Sequence, residues 1–337
     1  MRPAALAAAL VALIAHAGCL DRLERCGPGS VGAGDDRACP TPGWTDRAFD
    51  LHVPAAWDGR APLPVILLFH GGGGNRASSD RTTCPGGDVA SPGCFVAAAR
   101  ARGFAVVVPD GTGGRPLRGI RTWNAGGGAD GWDCVSGAAC AAGVDDIAYV
   151  TDVLDEVGAA LPLDPARLYA SGLSNGAALA HRLACELPRP LAAIAPVGGA
   201  NQHTQVGGAC PRPTAVLQLH GADDPCWPFD GGPGSCIDVD GDKAPVLPSL
   251  ERWRTVNGCA ATFVDTPVPD RDPTDGVTVV HRVWDGCAQA TELYRQDGGG
   301  HTWPSGWPYL GEDRVGRVGR DLDSGAILDF FEAHRGP

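Results

Sequence analysis

The chain has 337 residues, of which 44% are hydrophobic and 20% are charged, and its formal net charge is −12. This length supports one large core, because α/β folds of this size often form a single domain. The excess of acidic residues opposes binding to nucleic-acid phosphates and to anionic lipid headgroups, so we expect neither as a partner.

The N-terminus has the pattern of an export signal. Arg2 precedes a short apolar run at 4–15, and an Ala-His-Ala tripeptide at 15–17 has the small residues of a cleavage site. The run is too short to span a bilayer. We therefore predict a signal peptide at 1–17 and an extracellular or cell-envelope location. Cys19 follows within a string that resembles a lipoprotein processing box, so lipid attachment at Cys19 and ordinary cleavage at the tripeptide both stay open.

Thirteen cysteines are unusual for a protein of the reducing cytosol and indicate disulfides in an exported one. Apart from Cys19 they fall into six close sequential pairs. Pairing of neighbours is a hypothesis, because sequence alone does not determine connectivity. No two cysteines form a CxxC, so nothing supports a zinc ribbon or a thioredoxin-like site. The predicted disulfides are Cys26–Cys39, Cys84–Cys94, Cys134–Cys140, Cys185–Cys210, Cys226–Cys236 and Cys259–Cys287.

The segment at 18–44 is rich in Gly, Pro, Asp and Cys, and we predict an arm or tether there. One domain follows at 45–337, in which short apolar runs alternate with segments of helical spacing. This alternation predicts an α/β fold with a mostly parallel central sheet and helices on both faces. The predicted strands cover 64–69, 104–108, 167–170, 192–197, 215–219, 278–283 and 292–295, and the predicted helices cover 144–161, 175–187, 247–256 and 326–334.

A serine between a predicted strand and a predicted helix is the candidate nucleophile. The GLSNG string at 172–176 matches the G-x-S-x-G elbow with Ser174 at its centre. The match alone is weak, since the chain contains 49 glycines, but the strand-turn-helix context is the one that such an elbow needs. The helix N-terminus would also present the Asn175 N–H to a developing negative charge. An ordinary glycine-rich turn is the alternative.

A serine hydroxyl needs a base, and the base needs an acid to orient it. In α/β-hydrolases the chain order is serine, acid, histidine. Asp224 follows a buried strand and is our choice for the acid, with Asp223 as the alternative. Among nine histidines, His301 lies between the last predicted strand and the last predicted helix, and it is our choice for the base.

A glycine run after the first core strand is the candidate oxyanion loop. HGGGG at 70–74 matches the HGGG-type loop, whose main-chain amides bind a tetrahedral oxyanion. We expect Gly71 and Gly72 to supply these amides together with Asn175. A P-loop is excluded, because no Gly-Lys-Ser/Thr follows the run.

The acidic run at 238–242 lacks the glycine position and the terminal glutamate of an EF-hand, so we predict a solvated loop and neither metal nor cofactor.

Several strings together resemble the polyhydroxybutyrate depolymerase and feruloyl esterase group, within the first carbohydrate-esterase family. The resemblance runs from about residue 45 to the C-terminus. It implies an α/β-hydrolase fold with Ser174, Asp224 and His301 as the triad, and the group's HG-x-x-D pattern falls on Asp224. The matching strings are GLSNG at 172–176, AHRLACEL at 180–187, WNAGG at 123–127, VDDI at 144–147, Trp253, NGC at 257–259, WDGC at 284–287 and GHTWP at 300–304.

The resemblance implies a secreted serine esterase that needs no cofactor, and we expect a monomer. Polyester depolymerases of this group carry a linker and a polymer-binding domain, neither of which follows Pro337, so we expect feruloyl or acetyl esters of plant polysaccharides. Polyhydroxybutyrate hydrolysis is the alternative, and a catalytically silent surface-binding module or a peptidase on the same fold are alternatives of other classes. Trp123, Trp303 and Trp307 are candidates for an aromatic substrate platform, with core packing as the alternative for each.

Overall fold

The computed structural model describes residues 23–24, 26–113, 120–129, 132, 134–135, 137–236 and 241–336. The predicted signal peptide at 1–17, Cys19 and the acidic residues at 238–240 lie outside these residues. Within the described part, no helix combines the length and the apolar character that a membrane crossing requires.

The described residues build a ten-stranded sheet. In chain order its strands are β1 (Asp36–Pro40), β2 (Ala48–His52), β3 (Leu63–Phe69), β4 (Ala105–Pro109), β5 (Leu163–Leu173), β6 (Ala193–Val197), β7 (Ala215–Gly221), β8 (Phe263–Pro267), β9 (Thr278–Trp284) and β10 (Thr291–Asp297). Across the sheet the order is β1-β2-β4-β3-β5-β6-β7-β10-β9-β8. The six strands from β4 to β10 in this order are parallel, and antiparallel pairs lie at both edges.

Along the described part of the chain, six helices lie between strands, and two more follow the last strand. They are α1 (Arg76–Thr82), α2 (Phe95–Ala101), α3 (Ala138–Ala141), α4 (Asp146–Ala160), α5 (Asn175–Glu186), α6 (Val246–Val256), α7 (Glu312–Val315) and α8 (Ser324–Ala333). Two 3₁₀ turns lie at Pro85–Gly87 and His203–Val206, and two short hairpins pair Thr112–Gly113 with Arg121–Thr122 and Gly232–Pro233 with Asp242–Lys243.

The side chains of β3 show why its sequence is continuously apolar. Val65 and Leu67 belong to one buried cluster, whereas Ile66 and Leu68 belong to another on the opposite face. Since successive side chains of a strand point to opposite faces, a strand covered on both faces needs an unbroken apolar run. Helices α4, α5 and α6 contribute to the first cluster, and α2 and α8 to the second. The predicted sheet, mostly parallel and covered on both faces, is confirmed.

The predicted strands and helices are all present, although some of their ends differ. The largest difference is β5, which extends beyond the predicted 167–170 at both ends. The sequence did not identify the strands β1, β2 and β8 or the helices α1, α2, α3 and α7. All five residues of β8 are exposed at the sheet edge, so this strand has no apolar alternation to detect.

The segment at 18–44, which we expected to be an arm or tether, contains an edge strand. Residues Asp36–Pro40 form β1 and pair antiparallel with β2 in continuous register. Cys39 of this strand is fully buried and bonded to Cys26. The strand therefore belongs to the sheet, because its backbone hydrogen bonds attach it to β2, and its disulfide attaches the preceding segment at Cys26 to it.

The six predicted cysteine pairs all lie at disulfide distance and are bonded. Cys185 at the end of α5 is joined to Cys210 in the loop before β7. Cys226–Cys236 closes the loop after β7, and the other bonds likewise close short segments. The Cys185–Cys210 and Cys226–Cys236 bonds therefore brace the connections before and after β7.

Removing two of these disulfides separately should destabilise the protein by different amounts. The Cys185–Cys210 bond spans 25 residues and the Cys134–Cys140 bond spans 6. In the chain-entropy model, losing them costs about 3.5 and about 2 kcal/mol, because a longer loop gains more freedom in the unfolded chain. Urea unfolding of Cys185→Ala/Cys210→Ala and of Cys134→Ala/Cys140→Ala measures both losses. A smaller loss for the longer loop would contradict the expectation.

Candidate active site

The sheet reverses its direction of growth beside β3. The chain passes from β3 to β4 on one side and then returns to β5 on the other. The loops that leave the carboxyl ends of β3 and β5 therefore separate to opposite faces and open a crevice between them. Ligands of open α/β sheets bind at such a switch point. HGGGG at 70–74 follows β3 and Ser174 follows β5, so the fold brings these two motifs to the same crevice.

Ser174 occupies the turn between β5 and α5 with a backbone that few non-glycine residues adopt. Its φ is 59° and its ψ is −119°. Its N–H donates to the Val197 carbonyl at 2.9 Å, and its carbonyl accepts from Ala178 N–H at 3.0 Å. Its side chain makes no capping bond to the helix. Such backbone strain costs of order 1–3 kcal/mol and persists only where surrounding structure enforces it.

Glycines allow this turn to pack directly on the end of β3. A Cβ at Gly172 would lie 2.7 Å from the Phe69 carbonyl oxygen, and a Cβ at Gly176 would lie 2.5 Å from the same atom. Real Cβ atoms do not approach a carbonyl oxygen this closely. The two glycines of the G-x-S-x-G string are therefore required by the contact between the turn and β3.

The loop after β3 is oriented by its own histidine. His70 Nδ1 lies 2.8 Å from the Gly71 carbonyl oxygen, and Gly111 N–H donates to His70 Nε2 at 2.9 Å. These partners assign the proton to Nδ1. Burial lowers the pKa of His70 to about 4, which keeps the ring neutral. Because carbonyl and N–H oppose each other across a trans peptide, the Gly71 carbonyl turned toward His70 directs the Gly72 N–H the other way.

Gly71 lies next to the candidate nucleophile. A Cβ at Gly71 would be 3.5 Å from Ser174 Cβ. The N–H of Asn175 belongs to the first turn of α5, where N–H groups have no partner within the helix. The Asn175 side chain is occupied elsewhere: Trp123 N–H donates to its Oδ1 at 2.7 Å, and its Nδ2 donates to the Trp123 carbonyl at 3.1 Å. The Asn175 N–H, and not the amide side chain, is therefore the group of this residue that can face a ligand.

The candidate acid and base come from neighbouring parallel strands. Asp224 follows β7 and His301 follows β10, and these strands pair in parallel, so their carboxyl ends are adjacent. His301 Nδ1 lies 2.6 Å from Asp224 Oδ2, and both side chains are buried. Asp224 Oδ1 accepts hydrogen bonds from Cys226 N–H and Trp227 N–H, each at 2.8 Å. Asp223 is exposed, so the structure pairs His301 with Asp224.

The second nitrogen of His301 is left available. His301 Nε2 is buried and has no hydrogen-bond partner among the described residues. An unsatisfied buried nitrogen costs about 1–3 kcal/mol, so its persistence points to a ligand or a reacting group. Gly198 and Gly199, which follow β6, lie between the Ser174 turn and His301. A Cβ at Gly198 would be 3.2 Å from His301 Nδ1, and one at Gly199 would collide with the Ser174 carbonyl.

Two of the three candidate platform tryptophans are buried, which corrects the expectation of a platform. Trp123 is fully buried and donates its indole N–H to the His70 carbonyl at 3.0 Å. Trp303 is 1% exposed and donates to Ser324 Oγ at 3.1 Å. A ring enclosed on both faces cannot stack on a substrate. Trp307 keeps part of its surface exposed, with the Arg81 guanidinium 4.1 Å from its ring centroid.

Two groups of described residues bring three potential metal ligands together. They are Asp80 with Cys84 and Cys94, and Asp224 with Cys226 and His301. All three cysteines are in disulfides and so cannot supply the thiolate that binds a metal. The donor sets therefore do not fit a metal centre.

The parallel sheet, the serine turn and the Asp-His pair after later strands define an α/β-hydrolase. No family model matches the chain. The chain is 30% identical over 308 residues to NocK of Nocardia uniformis subsp. tsuyamanensis, which is named as an esterase, with 85% of this chain and 79% of NocK covered. It is 26% identical over 288 residues to feruloyl esterase C of Emericella nidulans, with 85% and 84% covered.

Among solved structures, acetyl xylan esterase from Aspergillus awamori superposes with a TM-score of 0.50 at 13% identity, covering 89% of this chain and 99% of that one. This likeness concerns the fold. The sequence relatives show that the chain belongs to the feruloyl esterase group of α/β-hydrolases and is a carboxylic-ester hydrolase. The resemblance drawn from the sequence motifs is confirmed.

The contact between the serine turn and β3 can be tested at Gly176. Gly176→Ala should lower the free energy of unfolding by about 1–3 kcal/mol, because the new methyl group collides with the Phe69 and His70 carbonyls. Ester hydrolysis should fall as well, since the turn that carries Ser174 must shift. Unfolding in urea and initial rates on an aryl acetate measure the two effects.

The matched control for this variant is Gly158→Ala in α4. Gly158 is exposed, and the atom nearest to an added methyl group would be Leu163 Cδ1 at 3.6 Å. Alanine should stabilise this helix by about 0.5–1 kcal/mol and leave hydrolysis unchanged. Gly176→Ala behaving like Gly158→Ala would show that the contact does not hold the turn.

Proposed function

We propose that this protein is a secreted serine esterase that hydrolyses feruloyl or acetyl esters of plant polysaccharides, with Ser174 as nucleophile, His301 as base and Asp224 as the acid that orients it. One observation carries the proposal. The buried His301–Asp224 pair leaves Nε2 without a partner among the described residues, at the same sheet edge as a strained serine whose side chain does not cap its helix.

The proposed reaction has two acyl-transfer steps. Ser174 Oγ bonds to the ester carbonyl carbon while its proton passes to His301 Nε2, and Asp224 stabilises the resulting imidazolium through Nδ1–H. His301 then returns the proton to the departing alcohol, which leaves an acyl group on Ser174. Water, deprotonated by the same histidine, releases the acid and restores the serine.

The oxyanion of the tetrahedral intermediate needs main-chain donors. We propose Asn175 N–H at the start of α5 and Gly72 N–H as these donors, with Gly71 as the alternative to Gly72. The His70–Gly71 hydrogen bond supports Gly72, because it holds the Gly71 carbonyl toward His70 and so directs the Gly72 N–H of the same peptide away from His70. One such donor typically contributes about 2.7–4 kcal/mol to lowering the barrier.

The substrate class is supported by relatives, since several similar proteins, including that of Emericella nidulans, are named feruloyl esterase C. Export is supported by the six disulfides, because such bonds persist in oxidising compartments. Mass spectrometry of the mature N-terminus tests processing. A diacylated Cys19 would support lipid anchoring, an unmodified Gly18 start would support release, and an intact Met1 would contradict export.

Substitution of the proposed triad tests the mechanism. Ser174→Ala should lower kcat/KM by about 10⁴- to 10⁶-fold, since no other group forms the acyl intermediate. Asp224→Asn should lower kcat about 10⁴-fold by favouring the wrong histidine tautomer. Asp223→Asn is the matched control, because it makes the same change at the exposed neighbour and should retain activity. Full activity of Ser174→Ala would overturn the serine mechanism, and an inactive parent protein would favour a binding module.

A substrate panel tests the proposed class. Methyl ferulate, acetylated xylan and a 3-hydroxybutyrate trimer would be compared at equal enzyme concentration, with Ser174→Ala as the blank for each. We expect the first or second compound to give the highest kcat/KM. A higher value for the hydroxybutyrate trimer would reassign the protein to polyester hydrolysis, and faster cleavage of a peptide amide would reassign it to the peptidases.

A further inference from the structure

A row of buried polar side chains lies behind Asp224 and takes no part in the proposed reaction. Starting from Asp224 it consists of His220, Gln218, His181 and Trp253. Each of these four side chains is at most 1% exposed. A buried polar group is costly unless it is hydrogen-bonded, so the bonds that these side chains form explain how they are tolerated.

The hydrogen bonds of this row run in one direction, which is set by the indole at its far end. Trp253 Nε1–H is only a donor, and it donates to His181 Nδ1 at 2.9 Å. The proton of His181 is then on Nε2, which donates to Gln218 Oε1 at 3.1 Å. Gln218 Nε2 carries two hydrogens and has three acceptors in reach: the Gly199 carbonyl at 3.1 Å, and the Leu219 carbonyl and His220 Nδ1 at 3.3 Å each. His220 carries its proton on Nε2, because this nitrogen lies 2.8 Å from the Trp227 carbonyl oxygen, which can only accept.

The His220 proton is directed at the turn that holds the acid. His220 Nε2–H donates to the Trp227 carbonyl at 2.8 Å, and Nε2 lies 3.5 Å from Asp224 Oδ2. The Trp227 N–H is one of the two amides bound to Asp224 Oδ1. His220 and Asp224 therefore hold Trp227 from its two sides. Burial lowers the pKa of His220 below its ordinary value, so the ring is neutral when it does so.

We propose that His220 is a positioning residue for ester hydrolysis: as the Nε2–H tautomer, with the Gln218 amide beside its Nδ1, it donates to the Trp227 carbonyl, fixes the 224–227 turn and so aims Asp224 at His301. This inference rests on the proposed function, since it assigns His220 a role through Asp224. The residue that precedes the acid by four positions thereby supports the acid without touching the substrate.

The test measures kcat, KM and unfolding free energy for His220→Ala, His220→Gln and a control. His220→Ala should lower kcat about 10- to 100-fold with little change in KM, because the acid is misaligned while the substrate contacts remain. His220→Gln should restore most of kcat, because its amide N–H can occupy the position of Nε2–H. Equal kcat values for wild type and His220→Ala would overturn the proposal, as would a His220→Gln variant no better than His220→Ala.

The control separates positioning from general destabilisation. Asn257 is fully buried and forms hydrogen bonds with Thr214 and Thr291. These two residues lie where β7 and β10 begin, at the end of each strand that is remote from Asp224. Asn257→Ala removes a buried polar side chain beside the same two strands but far along them from Asp224. It should destabilise the protein and leave kcat close to that of wild type. A kcat loss equal to that of His220→Ala would indicate a merely structural role and would contradict the proposal.

A double variant distinguishes failure of this inference from failure of the proposed mechanism. If His220 acts through Asp224, His220→Ala should lower kcat little further in the Asp224→Asn background. Multiplying losses would show that His220 acts independently and would overturn the inference while the triad stands. An Asp224→Asn variant with wild-type kcat would instead overturn the proposed acid itself.

Discussion

The site depends on the direct contact between the serine turn and the end of β3. Gly172 and Gly176 place the backbone on either side of Ser174 against the Phe69 and His70 carbonyls, at distances that exclude a Cβ. This contact forces the chain through a sharp turn and leaves Ser174 at a φ of 59°. It also brings the glycine loop next to the serine. One packing constraint thus produces both the strained serine turn and its neighbouring amides.

Buried hydrogen bonds transmit this arrangement to the surrounding loops. Trp123 donates its indole N–H to the His70 carbonyl. Its main-chain N–H and carbonyl form two hydrogen bonds with the side-chain amide of Asn175, so Trp123 links the glycine loop to the start of α5. The next residue, Asn124, donates its N–H to Asp146, which is paired with the buried Arg47 at 2.6 Å. Removing any member would leave a buried partner unsatisfied, which is why these bonds define one geometry.

The acid and base are held differently, by loops that the disulfides and close glycine contacts restrain. Cys226, whose N–H binds Asp224, is joined to Cys236 across the loop after β7. A Cβ at Gly300, beside His301, would collide with Gly316, so the histidine loop packs tightly on the segment that follows it. A loop restrained on both sides loses little further freedom when a substrate binds, and preorganisation of this kind lowers the entropic cost of catalysis.

The sequence by itself determined the α/β class, because unbroken apolar runs such as that of β3 can be satisfied only inside a sheet covered on both faces. The close spacing of its cysteines predicted the six pairs that the structure bonds, and the sequence placed Ser174, Asp224 and His301 in the chain order typical of the fold. Local patterns carry this information, since strand burial, short loop closure and turn chemistry depend on nearby residues.

Only the tertiary structure decided which surfaces the aromatic and edge residues occupy. Trp123 and Trp303 were candidates for a platform, yet they are buried, because burial of a single tryptophan depends on elements distant in the chain. The exposed strand β8 has no periodic signal, and β1 is recognisable only by its partner β2. The role inferred for His220 likewise depends on Gln218, His181 and Trp253, which converge from three different elements. Such contacts arise from chain crossings, and no local spacing records them.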